Sequence, residues 1–133
     1  MTTLIDTSVL LDIVAPSQWR AWSERELIAA SERGPLAINQ IISAELAAGF
    51  ASKGTLERSL QGVGLRRLNL PWAAAWLASQ AFIAYRRGGG TRAAPLPDFF
   101  VGAHAEAAGL ALLTRDPARI RTYFPAVEVI APP

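Results

Sequence analysis

The sequence contains no cysteine and only one histidine among its 133 residues. The absence of cysteine excludes disulfide bonds, thiolate zinc sites and a cysteine nucleophile. A single histidine leaves too few imidazole rings for a histidine-rich metal site. Any metal ion bound by this chain must therefore be held mainly by oxygen ligands.

The sequence also lacks a hydrophobic run long enough to cross a membrane. The longest nearly uncharged stretch, residues 68–85, is interrupted by Asn69, Pro71 and Ser79, and it falls short of the ~20 apolar residues that a membrane helix needs. The first residues lack the basic segment and apolar core of a signal peptide, because Asp6 and Asp12 interrupt them. We therefore expect a cytoplasmic protein that is neither secreted nor anchored in a membrane.

Lysine is nearly absent as well. Lys53 is the only lysine, so the basic residues are almost all arginine, and the net charge is +2. Arginine binds phosphate and carboxylate groups through two parallel hydrogen bonds, which mildly favours a polyanion or an acidic partner. A GC-rich genome would produce the same bias, so both explanations stay open.

Short apolar runs alternate with helical patterns along the chain. We predict a first strand that ends at Asp6 and further strands at residues 36–38, 65–70, 110–113 and 127–130. Helices are predicted at residues 8–14, 18–33 with Ser17 as its cap, 39–49, 54–62, 71–87 and 118–123, and within 95–110. With half of its residues apolar, the chain is long enough for one core. The order predicts an α/β protein with a single domain over residues 1–133, a three-layer α/β/α sandwich around a mainly parallel sheet.

The helix that starts at Pro71 contains two of the four tryptophans of the sequence. Trp72, Trp76, Phe82 and Ile83 recur at helical spacing, and we interpret them as its core-facing side. Stacking of the two tryptophans on nucleobases is the alternative interpretation.

Acidic residues follow the apolar runs at several points. Asp6 ends the first strand, and either Thr7 or Ser8 is expected to cap the helix behind it. Asp98 stands at the first turn of a helix, and Asp116 comes just after the strand at residues 110–113. Because ligands bind at the carboxyl edge of open α/β sheets, an acid there is a candidate for chemistry. Helix capping by Asp6 is the alternative.

A fourth acid, Glu45, lies among small and apolar residues of the helix at 39–49. It stands next to the face formed by Ile42 and Leu46, and a solvent-exposed helix glutamate is the alternative interpretation. Together the four acids are expected to share one edge of the sheet. Four carboxylates in one cleft repel one another, so a cation is expected among them. A hard divalent ion, Mg²⁺ or Mn²⁺, suits oxygen ligands.

Four segments in this order resemble a PIN domain, specifically a VapC-type toxin of a toxin–antitoxin pair. The segments are Leu-Ile-Asp-Thr-Ser-Val-Leu-Leu-Asp at Asp6, Ile-Ser-Ala-Glu-Leu at Glu45, Pro-Asp-Phe-Phe-Val-Gly-Ala-His-Ala at Asp98 and Leu-Leu-Thr-Arg-Asp-Pro at Asp116. The resemblance covers nearly the whole chain. It implies an endoribonuclease whose acids bind Mg²⁺ or Mn²⁺. Such an enzyme hydrolyses RNA without a covalent intermediate.

Carried onto this sequence, the resemblance gives each acid a role. It implies that Asp6 and Asp98 are direct metal ligands, that Glu45 is a ligand or orients water, and that Asp116 is the fourth acid. The hydroxyl residues that match site-shaping positions of the family are Ser8 and Thr114. Some relatives carry a further acid where this chain has Arg119 and Arg121, which leaves the number of metal ions, one or two, open.

The resemblance also implies partners, namely a homodimer and a small VapB-type antitoxin. Trp19 and Trp22 could form an apolar groove for the antitoxin, with core packing as the alternative. RNA could be steered by phosphate contacts with three arginines that flank the glycines at 88–90, and a solvated helix end is the alternative there. These residues are Arg86, Arg87 and Arg92.

Three other functions remain open at this stage. A phosphohydrolase of the haloacid dehalogenase type needs a second aspartate two residues after Asp6, where this chain has Ser8. A phospho-receiver domain needs a late lysine, yet the only lysine is Lys53. A PIN scaffold that binds without turnover is the third alternative. His104 lies six residues after Asp98, on a different side of the helix, and is expected to be structural or at the surface rather than a general base.

Overall fold

Three fully buried strands form the centre of the protein, whose computed structural model describes residues 1–133. They are β1 (Thr3–Ile5), β2 (Leu36–Ile38) and β4 (Ala111–Leu113). Two short strands, β3 (Arg66–Arg67) and β5 (Val129–Ile130), complete the sheet. Strands covered on both faces are apolar along their whole length, as here, and such strands are typical of parallel sheets.

All strand pairs are parallel, and the order across the sheet is β3-β2-β1-β4-β5. In β1, Leu4 pairs with Ala37 on one side, and Ile5 pairs with Leu113 on the other. Continuing these registers places the residues that follow the three central strands side by side at one edge. These residues are Asp6, Asn39 and Thr114.

Seven helices connect the strands and cover the sheet, which gives the three-layer α/β/α fold that the sequence predicts. They are α1 (Thr7–Val14), α2 (Arg20–Arg33), α3 (Gln40–Ala47), α4 (Lys53–Leu60), α5 (Trp72–Arg87), α6 (Pro97–Ala108) and α7 (Ala118–Tyr123). Helix α1 packs against α2 and α3, and α6 packs against α3, α5 and α7. None of the helices combines the length and the apolar character needed to span a bilayer.

The outer strands are shorter than predicted. Of residues 65–70 only Arg66 and Arg67 pair with β2, and of residues 127–130 only Val129 and Ile130 pair with β4. An edge strand has a neighbour on one side only, so its hydrogen-bonded length is set by that neighbour. Helix α2 starts at Arg20 rather than at residue 18, because the Ser17 hydroxyl accepts the N–H of Trp19 at 3.0 Å before the helix begins.

The predicted core face of α5 is wrong for Trp72, Trp76 and Ile83, whereas Phe82 is partly buried and packs against the core. Trp72 is 92% exposed and Trp76 is 69% exposed, whereas the buried positions of the helix are alanines. The buried residues of α5 are Ala74, Ala78 and Ala81. Small side chains allow close approach to α6, whose buried residues are also mostly small, and an indole ring would not fit between the two helices. The tryptophans therefore lie on the solvent side.

Gly102 is required by the packing of α6 against the chain that follows α7. A Cβ atom at this position would clash with the aromatic ring of Phe124, which is itself fully buried. The structure thus places a hydrogen atom where the core has no room for a methyl group.

Replacing Gly102 with alanine is expected to destabilise the protein by about 1–3 kcal/mol, because overpacking the core outweighs the higher helix propensity of alanine. Gly54 in α4 is the matched control, since a Cβ there meets only the flexible end of Arg58. Gly54→Ala is expected to stabilise the protein by about 0.5 kcal/mol. Urea unfolding of both variants measures the difference, and a stabilising Gly102→Ala would contradict the packing described above.

Candidate active site

Asp6 directly follows β1, the central strand of the sheet. The strand order reverses here, because β2 lies on one side of β1 and β4 on the other. Asp6 occupies the N-cap position of α1, but its side chain makes no capping hydrogen bond. Instead its Oδ2 atom accepts the hydroxyls of Thr114 at 2.7 Å and Ser8 at 3.0 Å. The capping alternative for Asp6 is therefore not supported by the structure.

The hydroxyl groups of Ser8 and Thr114 connect the ends of β1 and β4. Ser8 Oγ accepts the backbone N–H of Arg115 at 3.1 Å, and Thr114 Oγ1 accepts that of Asp116 at 3.0 Å. Both side chains are buried. Each hydroxyl donates to Asp6 and accepts from the loop after β4, so the two residues fix that loop relative to the carboxylate.

Glu45 approaches this edge from α3. The helix starts at Asn39, whose side-chain oxygen accepts the N–H of Ile42 at 3.0 Å and whose Nδ2 lies 3.0 Å from Nδ1 of His104. Glu45 Oε1 accepts the hydroxyl of Thr7 at 2.9 Å. Thr7 and Ser8 thus bind side chains of the site and do not cap α1. His104 is buried, and burial lowers its pKa.

Asp98 is in the first turn of α6, as predicted, where a negative charge is favoured by the helix dipole. Its Oδ2 atom accepts a hydrogen bond from Nη1 of Arg119 at 3.0 Å. Asp116 is exposed and forms no side-chain hydrogen bond or ion pair. Asp98, Asp116 and Arg119 line one open pocket of about 550 Å³.

Three of the four acids interact electrostatically. Burial raises the pKa of Asp6, hydrogen bonds from Thr114 and Ser8 lower it, and the charge of Asp98 raises it further. Burial is also the largest cause that raises the pKa of Glu45, and the charges of Asp6 and Asp98 add to it. The charge of Asp98 therefore acts on both Asp6 and Glu45.

The donor chemistry of this cluster suits a hard divalent cation, because the mutual repulsion of carboxylates is relieved by a positive charge. No group of three or more His, Asp or Glu side chains lies close enough to hold an ion in the arrangement described. The Oδ2 atom of Asp98 is hydrogen-bonded to Arg119. The ligand types of the cluster fit Mg²⁺ or Mn²⁺.

Asp12 belongs to a second network that the sequence analysis missed. It is buried and accepts hydrogen bonds from Ser17 Oγ at 2.7 Å, from Ser23 Oγ at 2.6 Å and from Nε of Arg115 at 2.7 Å. Its signal in the sequence is an acid in the apolar run at residues 9–14. The backbone N–H of Arg115 also binds Ser8. The network around Asp12 is therefore connected to the hydroxyl that binds Asp6.

The three arginines expected to steer RNA are exposed at the end of α5 and in the loop after it. Nη1 of Arg86 donates to the carbonyl of Arg92 at 2.7 Å. The hydroxyl of Tyr85 accepts the N–H groups of Thr91 and Arg92, and the bond from Arg92 is the main cause that lowers the pKa of Tyr85. The loop is therefore held to α5, while Arg87 has no side-chain partner in the protein.

Asp12→Asn is expected to lower the free energy of unfolding by about 2–3 kcal/mol, because a buried charge-assisted network loses its anion and Arg115 loses its counter-ion. Glu57→Gln removes the exposed ion pair with Arg67 and is the matched control, with an expected change of about 0–1 kcal/mol. Chemical denaturation compares the two variants. Equal losses would contradict a special role for Asp12.

Asp6→Asn is expected to stabilise the metal-free protein at neutral pH. Asparagine can place its amide oxygen at the position of Oδ2 and keep both hydroxyl hydrogen bonds, while the desolvated charge is removed. Because the folded-state pKa of Asp6 lies above its ordinary value of 3.8, the unfolded state loses this proton first. The stability of the wild type relative to Asp6→Asn therefore falls as pH rises through this interval and is constant above it.

Thermal unfolding in chelator from about pH 4 to about pH 8 measures this difference. Glu128→Gln, which removes an exposed carboxylate elsewhere, is the control and should show no such pH-dependent difference. A wild type more stable than Asp6→Asn at neutral pH without metal would show that the charge of Asp6 is not unfavourable.

Comparison with known proteins identifies the family. A model of the PIN domain family matches residues 3–125, whereas no curated protein sequence matches the chain. A chain of VapBC2 from Rickettsia felis, bound to a DNA fragment from its promoter, superposes with a TM-score of 0.77 at 15% identity, with 98% of each chain covered.

Two further structures share the fold. A chain of DNA-bound VapBC from Salmonella typhimurium has a TM-score of 0.67 and 23% identity, with 98% of each chain covered. A chain of a toxin–antitoxin complex from Klebsiella pneumoniae has a TM-score of 0.65 and 21% identity, with 96% of this chain and 95% of that one covered. Because the family model spans almost the whole sequence, this chain belongs to the PIN domain family.

Proposed function

We propose that this protein is a metal-dependent endoribonuclease that acts as the toxin of a toxin–antitoxin pair, with one PIN domain over residues 1–133. The observation that supports this most is the carboxylate of Asp6. It lies at the diverging edge of the sheet between two hydroxyl donors, and the charge of Asp98 acts on it and on Glu45. PIN domains are generally nucleases, and the family match leaves the phosphohydrolase and phospho-receiver alternatives without support.

Each of the four acids has a proposed role in the hydrolysis of RNA. Asp6 and Asp98 are the proposed direct ligands of Mg²⁺ or Mn²⁺, Glu45 is a ligand or orients the attacking water, and Asp116 is the fourth acid. Held by these residues, such an ion would supply charge neutralisation at the phosphate and a lower pKa for a bound water. A carboxylate not used as a ligand accepts the proton of that water. Ser8 and Thr114 keep the carboxylate of Asp6 in place.

RNA is the proposed substrate, and its phosphates are the proposed ligands of the exposed arginines at the end of α5. These residues are Arg86, Arg87 and Arg92. Their guanidinium groups are suited to bind phosphates, which would position the backbone without reading its sequence.

A VapB-type antitoxin and a second copy of the chain are the proposed protein partners. The similarity to chains of complexes described as VapBC or toxin–antitoxin supports the antitoxin, whereas the homodimer follows only from the family resemblance. Trp19 is partly exposed, and its ring contacts that of Trp22 edge-on at 6.4 Å between centroids. This pair on and before α2 is the proposed apolar part of the antitoxin groove.

Asp6→Asn and Asp98→Asn are expected to fold normally and to lose RNA cleavage by at least about a hundredfold, because each removes a proposed metal ligand. Glu128→Gln is the matched control and should keep full activity, since this acid is exposed and remote from the cluster. The measurement is cleavage of total cellular RNA by the purified protein with Mg²⁺, with Mn²⁺ and with chelator. Cleavage that persists in chelator or in both aspartate variants would refute the mechanism.

A further inference from the structure

We propose that Arg119 is an exchangeable counter-ion of the site: it neutralises Asp98 when no metal is bound, and it binds an RNA phosphate once a divalent cation takes Asp98. This inference rests on the proposed function and adds a regulatory and substrate-binding role to one residue of this chain.

The geometry places the two partners at the starts of two neighbouring helices. Asp98 is in the first turn of α6, and Arg119 is in the first turn of α7, which packs against α6. Nη1 of Arg119 lies 3.0 Å from Oδ2 of Asp98. Arg119 is the only basic side chain that forms an ion pair with any of the four acids of the site.

The exposure of this ion pair makes it exchangeable. The side chains are 41% exposed for Arg119 and 38% for Asp98, and exposed ion pairs of this kind contribute little to stability. A divalent cation that also contacts Asp6 and Glu45 gains the attraction of several carboxylates, which one guanidinium cannot match. Metal binding is therefore expected to release Arg119 from Asp98 at small cost.

The released guanidinium remains in the pocket that Asp98 and Asp116 also line. Its planar set of donors matches the oxygens of a phosphate. Arg115 lines the same pocket but has a fixed partner, because its Nε binds the buried carboxylate of Asp12 at 2.7 Å. Arg119 is thus the arginine of this pocket that can change partners.

Metal affinity tests the first half of the proposal. Arg119→Ala is expected to bind Mn²⁺ about two- to fivefold more tightly than the wild type, because the competing cation is gone. Arg121→Ala is the matched control: it removes the same charge from the same helix, and Arg121 is exposed and forms no ion pair. Arg119→Lys, which keeps a cation beside Asp98, should bind Mn²⁺ about as the wild type does. Free Mn²⁺ can be measured by electron paramagnetic resonance.

RNA binding tests the second half. With Mg²⁺ present, Arg119→Ala is expected to bind a labelled, nuclease-resistant single-stranded RNA analogue more weakly and to reduce the salt dependence of binding by about one phosphate contact. The change relative to Arg121→Ala is the decisive quantity, since both variants have the same net charge. Fluorescence anisotropy at several salt concentrations gives the slope.

The possible outcomes separate this inference from the proposed function. If the wild type binds no Mn²⁺ and cleaves no RNA, the proposed function itself fails. If the wild type does both and Arg119→Ala binds Mn²⁺ as Arg121→Ala does, the counter-ion role of Arg119 is overturned alone. Tighter Mn²⁺ binding with an unchanged salt slope overturns the phosphate contact. Tighter Mn²⁺ binding together with weaker RNA binding supports the proposal.

Discussion

The hydrogen bonds between Asp6 and the hydroxyls of Ser8 and Thr114 are the constraint on which the site depends. They join segments more than one hundred residues apart in the sequence, and the parallel pairing of β1 with β4 brings these segments together. The pairing alone places Asp6 beside Thr114, but it does not orient either side chain. The hydroxyls do so, because each one also accepts a backbone N–H from the loop that follows β4. The sheet therefore sets the position of Asp6, and the hydroxyl groups set the orientation of its carboxylate.

This arrangement is electrostatically unfavourable without a cation. Burial and the charge of Asp98 both act against the ionised form of Asp6, and the same causes act on Glu45. Such an unfavourable arrangement of charges is typical of a functional site, because a ligand of opposite charge relieves the repulsion when it binds. Arg119 offsets part of this cost at Asp98 only. Asp6 has hydroxyl partners but no basic one.

Some of this structure follows from the sequence, and the rest depends on contacts that local patterns do not encode. Buried triplets such as Leu36–Ile38 were predicted because apolar runs before polar residues are local signals, and Asp98 was placed correctly in the first turn of its helix. The face of α5 was predicted wrongly, since large side chains dominate a periodicity whereas Ala78 and its small neighbours make the contact. The role of Thr7 was missed, because its partner Glu45 lies far along the chain.

The network around Asp12 shows why stability and function are connected in this molecule. Asp12 receives hydroxyls from the start of α2 and from the segment before it, so it ties α1 to α2 inside the core. Its third partner, Arg115, belongs to the loop whose backbone binds Ser8. A change that loosened the packing of α2 would therefore reach Ser8 through three hydrogen bonds, those of Ser23 with Asp12, Asp12 with Arg115 and Arg115 with Ser8, without touching any of the four acids. The orientation of Asp6 is in this sense a property of the core as well as of the site.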